Sequence, residues 1–387
     1  MNIGIIGAGI TGVTTAYFLA KKKYKVTLIE SRRYPAMATS YANGGQLSAS
    51  NAEAWNSWNN VIVGAKSLFV KDSPVLINPK PSISKLYWFL KFIQNIKSKE
   101  MLTEDICKMA IKSIQLYDEI AQKENISFDK LSKGILHFYH NSKQTAHALR
   151  INSLYKNAGL KRLRITQEEL AKIEPSLKNK KFDSIFYTKS DKTGDIHKFC
   201  TNLTNSLKKQ KKIAFLNYEV KNLKEELKRF DIVILCAGIN SRYLAQTIGE
   251  NLNIYPVKGY SITINKPGLN SPWVSLLDDN SKIVTSRLGK NRLRVAGTAE
   301  FNGYNLDIIQ HRVRPLINWC IKMFPKINTN DIKPWAGLRP MTPNMMPIVK
   351  RSINDRIWYN TGHGHLGWTL SAFTAWRLAS LINKTYN

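Results

Sequence analysis

Ile3-Gly4-Ile5-Ile6-Gly7-Ala8-Gly9-Ile10-Thr11-Gly12 opens the chain, and Glu30 stands 18 residues beyond the last of these glycines. The apolar run at 3–6 predicts a short buried strand. Val13 to Lys22 predicts a helix with Val13, Ala16, Tyr17 and Ala20 on one face, and Lys25 to Ile29 predicts a second strand ending at Glu30. Each glycine has its own task at the turn. Gly7 allows the tight bend, Gly9 lets a pyrophosphate approach the backbone, and Gly12 lets the helix pack close to the strand. The helix start at Ile10 and Thr11 offers unpaired N–H groups and a positive dipole end to phosphate oxygens. Glu30, with Ser31 beside it, can accept ribose hydroxyls and would repel a 2′-phosphate, which argues against NADP. Glycines alone would be weak evidence. With strand, helix and acid in place they make a dinucleotide site, without choosing between NAD and FAD.

Three further segments favour FAD. Thr39-Ser40-x-x-Asn43-Gly44-Gly45-Gln46 is a small-residue loop suited to a phosphate and a flat ring. Cys236-Ala237-Gly238 ends the apolar run Ile232 to Leu235 with backbone that permits close approach. Thr361-Gly362-His363-Gly364-His365-Leu366-Gly367-Trp368 is a glycine loop entering the last helix, whose N-terminus suits the electron-rich edge of a reduced flavin. A nicotinamide enzyme needs only the first unit. A flavin enzyme closes around its cofactor with segments from both ends of the chain.

At 387 residues the chain has room for two or so domains. A leading βαβ unit, a mixed middle and a closing helix predict a discontinuous α/β protein. Its FAD-binding domain is expected at 1–50, 190–245 and 335–387, and its substrate domain at 51–189 and 246–334. No apolar run approaches the length of a spanning helix, and the first residues do not read as a leader, so a cytoplasmic-side protein is expected. The four cysteines, Cys107, Cys200, Cys236 and Cys320, are too scattered for a local metal or dithiol motif and read as buried free thiols. His363 and His365, in a glycine loop without an acid or thiol partner, make a poor metal site. The formal charge of +31 raises nucleic acid and an anionic membrane surface as partners. The lysines are spread along the whole chain, which argues against nucleic acid and leaves a membrane surface or a lysine-rich genome. Leu86 to Ile93, apolar on nearly all sides with lysines at its flanks, fits a membrane-surface helix, and fits a buried helix slightly better.

In this order the segments resemble the FAD-dependent D-amino acid oxidase superfamily, most nearly its bacterial D-amino acid dehydrogenase branch of the small-subunit type. The resemblance is carried by Ile5 to Gly12, Thr39 to Ser48, Tyr255-Pro256-Val257-Lys258-Gly259-Tyr260-Ser261, Gly337-Leu338-Arg339-Pro340-Met341-Thr342-Pro343 and Asn360 to Gly364, with Thr193-Gly194-Asp195 also fitting. It implies an FAD-binding Rossmann-like βαβ domain with an inserted α+β substrate domain on an antiparallel sheet. It also implies oxidative deamination of D-amino acids, by hydride transfer from Cα to flavin N5, with electrons passed to a quinone or respiratory acceptor. The residues it implies are Arg339 for the substrate carboxylate, His363 near the flavin ring, and Val220 at the adenine. Tyr260 is a second candidate for the carboxylate. The FAD is expected to be non-covalent. The chain departs from the pattern in a short Ile213 to Asp231 stretch, in Met345-Met346 after the arginine motif, and in lacking the usual C-terminal tail. These departures leave open an oxygen-using glycine or secondary-amine oxidase, or an FAD-binding protein that has lost turnover.

Overall fold

The computed structural model describes residues 1–67 and 74–386. The strand Asn2–Ile6, the helix Ile10–Lys21 and the strand Lys25–Glu30 form the opening unit. Two neighbours complete the buried centre of its sheet. The strand order is Ile348–Arg351, Ile357–Thr361, Ile232–Leu235, Asn2–Ile6, Lys25–Glu30, Ile213–Asn217, all parallel except the first pair. Parallel strands buried on both faces need continuous apolar runs, and Ile232-Val233-Ile234-Leu235 is one. The chain leaves the first strand in one direction to build 25–30 and 213–217, and in the other to build 232–235. The order therefore reverses beside Asn2–Ile6, and the crevice that opens there is the usual ligand position in such a sheet.

A nine-stranded sheet forms the second layer. Its order is Ile332–Met341, Tyr255–Asn265, Arg292–Phe301, Ile283–Leu288, Ser275–Asp278, Ile135–Tyr139, Ser184–Thr188, Leu163–Ile165, with Val75–Ile77 pairing alongside Arg292–Phe301. Most pairs are antiparallel, and two, 275–278 with 135–139 and 292–301 with 75–77, are parallel. The strand Ile332–Met341 lies wholly in this sheet. The boundary expected at residue 335 therefore falls inside a strand of the nine-stranded sheet, and the chain returns to the six-stranded sheet only after Met341. The cause is length: ten residues of 332–341 match the long strand 255–265 and stay paired with it.

The terminal helix Gly367–Tyr386 packs against both the first helix and the long helix Lys99–Lys123. The helix Ile83–Gln94 is two-sided: it buries Trp88 and Phe92 but exposes Ile83, Leu86, Tyr87 and Leu90. The four cysteines are free and buried. Among the described residues no helix is long and apolar enough to cross a membrane.

Candidate functional site

The first βα turn is built as its glycines require. Gly7 has φ +98°, and a Cβ there would sit 2.7 Å from the Cys236 carbonyl. Its amide donates to the Ile29 carbonyl at 2.8 Å. A Cβ on Gly12 would lie 1.8 Å from the Gly7 carbonyl, so the helix rests directly on the turn. Gly9 is the N-cap of that helix and gives it no side-chain cap. Of the first amides, Ile10 N–H is taken by Ser40 Oγ at 3.1 Å. The Glu30 carboxylate accepts from Ala8 N–H at 2.8 Å through Oε2, and from Ser31 Oγ and Arg32 N–H at 3.1 Å through Oε1. It is thus fixed at the lip of the crevice with acceptor capacity remaining.

A cavity of about 1910 Å³ runs from this turn into the second layer. Gly7, Gly9, Ile10, Thr11, Glu30 and Ser31 line one end with Val220, and Ala237 and Gly238 flank it across the sheet. Gly12 does not reach the cavity wall, and its part is packing. Further in come Ser40, Asn43, Gly44, Gly45 and Gln46. This loop is strapped to the second sheet: Ser261 Oγ donates to Ala42 O at 2.7 Å, Arg294 Nη1 to Asn43 O at 3.0 Å and Ser286 Oγ to Gly44 O at 2.7 Å. Gly45, at φ +78°, has no room for a Cβ, which would meet Ser286 at 2.8 Å. The Asn43 and Gln46 side chains are already engaged, with Gly45 N–H and with Ser275 Oγ. The loop therefore presents backbone to the cavity. Arg294, buried and pushed down to about 10 by desolvation, is the clamp. Nothing in the sequence pattern distinguished it from the neighbouring Arg292. Asp191 fixes the next turn, accepting from Ala49 N–H, Ser50 N–H and Ser48 Oγ at 3.0 to 3.1 Å.

The opposite wall carries Arg339. Gly259 and Gly337 face each other across paired strands. The Arg339 guanidinium folds over the first glycine, where a Cβ would come within 2.3 Å of it, and the Trp335 ring folds over the second. Nη1 donates to the Thr298 carbonyl at 2.9 Å. Thr298 has φ +62°, a left-handed conformation that costs a β-branched residue about 1–2 kcal/mol. It sits where the 255–265 and 292–301 pairing slips its register, and the bulge turns its carbonyl onto the arginine. Among the described residues no carboxylate pairs with Arg339. Desolvation brings the guanidinium down to about 10, so it remains charged at neutral pH. A desolvated cation with one carbonyl partner is suited to an anionic ligand.

Tyr260 does not join it. On a strand, neighbours face opposite sides. Gly259 and Ser261 face the cavity loop, so Tyr260 turns into the far core, where its hydroxyl donates to Glu300 Oε2 at 3.0 Å. Glu300 also holds the fully buried Lys258 at 3.2 Å. Tyr260 borders the cavity, with its hydroxyl engaged by Glu300 in this structure.

Gly362, His363, Gly364, Leu366 and Gly367 line the cavity beside the terminal helix. Gly362 and Gly364 take φ +74° and +57°. His363 is 2% exposed, bonds Thr374 Oγ1 through Nε2 at 2.8 Å, and is lowered to about 3 by desolvation. It is neutral, so it brings polarity and packing near the expected ring position but no positive charge. His365 instead stacks on Trp55, with ring centroids 4.5 Å apart. Trp55 carries no signal in the sequence, since a lone aromatic in a loop makes no pattern.

The family model for FAD dependent oxidoreductases matches residues 2–381. The chain belongs to that family. The FAD-dependent oxidoreductase is 49% identical, over 98% of its length and 97% of the relative's, to D-amino acid dehydrogenase 3 of Mesorhizobium japonicum. It is 33% identical, over 99% and 97%, to D-amino acid dehydrogenase of Dechloromonas aromatica. Its fold is similar to that of L-proline dehydrogenase from P. horikoshii, with TM-score 0.77 at 18% identity over 100% and 94% of the two chains. It is likewise similar to L-alpha-glycerophosphate oxidase from Mycoplasma pneumoniae with FAD bound, with TM-score 0.72 at 18% identity over 99% and 94%. The residues present fit FAD. A helix N-terminus whose N-cap glycine supplies no side chain, a glycine turn with no room for side chains and an anchored acid lie at one end of the cavity that Arg339 also lines.

Proposed function

We propose that the oxidoreductase converts D-amino acids to imino acids, which hydrolyse to 2-oxo acids and ammonia. The observation that carries this reading is Arg339, a desolvated cation without an acid partner among the described residues, on the cavity wall opposite the backbone loop 43–46. Bound FAD supplies the acceptor for the two electrons and the hydrogen that leave the substrate Cα. Gly7, Gly9, Ile10 and Thr11 with Glu30 and Ser31 would hold its adenosine diphosphate half, with Val220 near the base. Ser40 to Gln46, Ala237, Gly238 and the 362–367 turn would hold the ring half. Arg339 grips the substrate carboxylate bidentately and sets Cα against the ring, a proximity effect that requires no side-chain base. Trp335 and Pro340 beside it help keep water out. The names of the full-length relatives support a D-amino acid as the substrate.

The electrons then pass to a quinone or other respiratory acceptor, with the protein lying peripherally on the inner face of the cell membrane. The exposed apolar residues Ile83, Leu86, Tyr87 and Leu90 on the helix Ile83–Gln94, Trp58 and Ile62 on the helix Trp58–Lys66, and a net charge of +31 support that placement. The deciding experiment for the reaction is anaerobic mixing of the holoprotein with single amino acids while the flavin absorbance is followed. D-amino acids should bleach it and their L-enantiomers should not. Bleaching by glycine or L-proline alone would replace this reading.

A further inference from the structure

Two tyrosines from different layers meet at the cavity wall beyond Gly238. Tyr243 follows Gly238 by five residues, on the short helix Ser241–Gln246. The turn 238–240 that leads into this helix packs against the strand Ile332–Met341. Tyr304 comes from the loop after the strand Arg292–Phe301, and that loop is tied down where Gly303 N–H donates to the Tyr255 hydroxyl at 3.3 Å. The two rings lie 5.1 Å apart at 34°. Both line the cavity, yet Tyr243 is 50% and Tyr304 38% exposed, so the pair stands at a mouth open to solvent and not in packed core. Leu306, also exposed, lines the same mouth. Burial, and then the neighbouring Tyr243 hydroxyl, push the Tyr304 phenol up, so it keeps its proton at neutral pH. Arg242 lies close enough to act by its charge on both Tyr304 and Tyr255, and its Nε has no hydrogen-bond partner among the described residues. The Tyr255 ring lies 6.3 Å from Trp88, on the helix Ile83–Gln94 that exposes Leu86 and Leu90.

We propose that Tyr243 and Tyr304, with Arg242 beside them, are the docking site of the electron acceptor, and that its occupant is the ring of a lipid-soluble quinone. The proposal rests on the reading of a quinone as acceptor and adds the place where it sits. A quinone ring is flat and uncharged, and it carries two carbonyl oxygens that accept hydrogen bonds and no group that donates one. The mouth matches it on each count. The open aromatic pair offers faces and edges to stack on, and the Tyr304 hydroxyl and the Arg242 guanidinium offer donors. Tyr255 and Trp88 connect this mouth to the helix read as the membrane-facing one, so a quinone leaving the lipid has a short way to travel. The quinone takes the two electrons and one proton held by the reduced cofactor and a second proton from water at the open mouth, and it leaves as hydroquinone.

The test separates the two half-reactions. Holoprotein is photoreduced without any amino acid and mixed anaerobically with duroquinone or with ferricyanide, while flavin re-oxidation is followed by stopped flow. Tyr243→Ala combined with Tyr304→Ala should lower the second-order rate constant with duroquinone about tenfold, the worth of an aromatic contact. The ferricyanide rate and the flavin content should stay at wild-type values, which also shows that the variant folds. Tyr243→Phe combined with Tyr304→Phe keeps the rings and should keep most of the duroquinone rate. Calorimetric titration of duroquinone into the oxidised protein should rank the three proteins in the same order by Kd, without turnover. Equal slowing with both oxidants would overturn the proposal, because the change would then lie in the flavin and not in docking. So would slowing confined to flavin reduction by the amino acid that bleaches the wild type, which would make this mouth the substrate's entrance. Fast duroquinone re-oxidation that the alanine pair leaves untouched would sink the placement alone. A wild type that ferricyanide re-oxidises and duroquinone does not would sink the quinone reading itself.

Discussion

Arg339 and Tyr260 stand on adjacent paired strands, yet they differ in what replacing them would do. Arg339 meets the cavity with two or more donors in a planar fork. Arg339→Lys keeps the charge and loses the fork, so KM for the D-amino acid should rise on the order of tenfold to a hundredfold, the worth of one charge-assisted hydrogen bond. Bound flavin should stay at wild-type stoichiometry, and an unchanged KM would remove Arg339 from the carboxylate site. Tyr260→Phe should do the reverse. Its hydroxyl serves Glu300 in the core, so denaturant unfolding should show a loss of about 1–3 kcal/mol with KM unchanged. Arg339 was legible in the sequence because an arginine between Gly337 and Pro340 belongs to a specific motif. The side Tyr260 faces was not legible, since a shift of one residue turns every side chain of a strand to the other face.

At the level of elements, two helix starts meet the cavity and both depend on space that a side chain would fill. Gly12→Ala places a methyl group 1.8 Å from the Gly7 carbonyl, so the first helix must move off the turn. Overpacking of this kind costs about 1–3 kcal/mol, and the purified variant should carry less FAD by its ratio of flavin to protein absorbance. The start of the terminal helix carries a pH signature through His363. The unfolded chain takes up a proton near the ordinary value of 6.5, while burial delays uptake in the folded protein to about 3. Between these values the unfolded state binds the extra proton, so stability should fall as pH drops through that window and should not depend on His363 above it. Comparing Tm against pH for wild type and His363→Gln checks this, and parallel curves would show that the ring titrates normally. The elements themselves were mostly readable from periodicity. The antiparallel edge strand Ile348–Arg351 was not, because four residues with a charged end carry too little pattern.

For the whole molecule, +31 and an exposed apolar helix face together predict behaviour that neither predicts alone. The protein should sediment with anionic vesicles at low salt, and added salt should weaken that binding as screening shortens the reach of its lysines. Leu86→Glu with Leu90→Glu should reduce the fraction bound at every salt concentration. Binding that salt abolishes and these substitutions leave unchanged would assign the interaction to charge alone. The same helix shows a limit of sequence reading. Leu86 to Ile93 is apolar on nearly every side, so periodicity could not divide it into faces. The contacts of Trp88 with Met341, Tyr255 and Phe301, and of Phe92 with Trp88, decide which side is buried.

What the sequence determined by itself is the nucleotide end of the protein. There, strand, glycine turn, helix and Glu30 lie within thirty consecutive residues, and their geometry follows from local backbone physics. The end of the cavity that carries Arg339 was decided only by the tertiary structure. The guanidinium of Arg339 lies over Gly259, its anchor is a carbonyl on a third strand, and the rings around Trp88 come from opposite parts of the chain. Contacts of that kind depend on strand register and on which face of each sheet is buried, and these are set when the layers pack together.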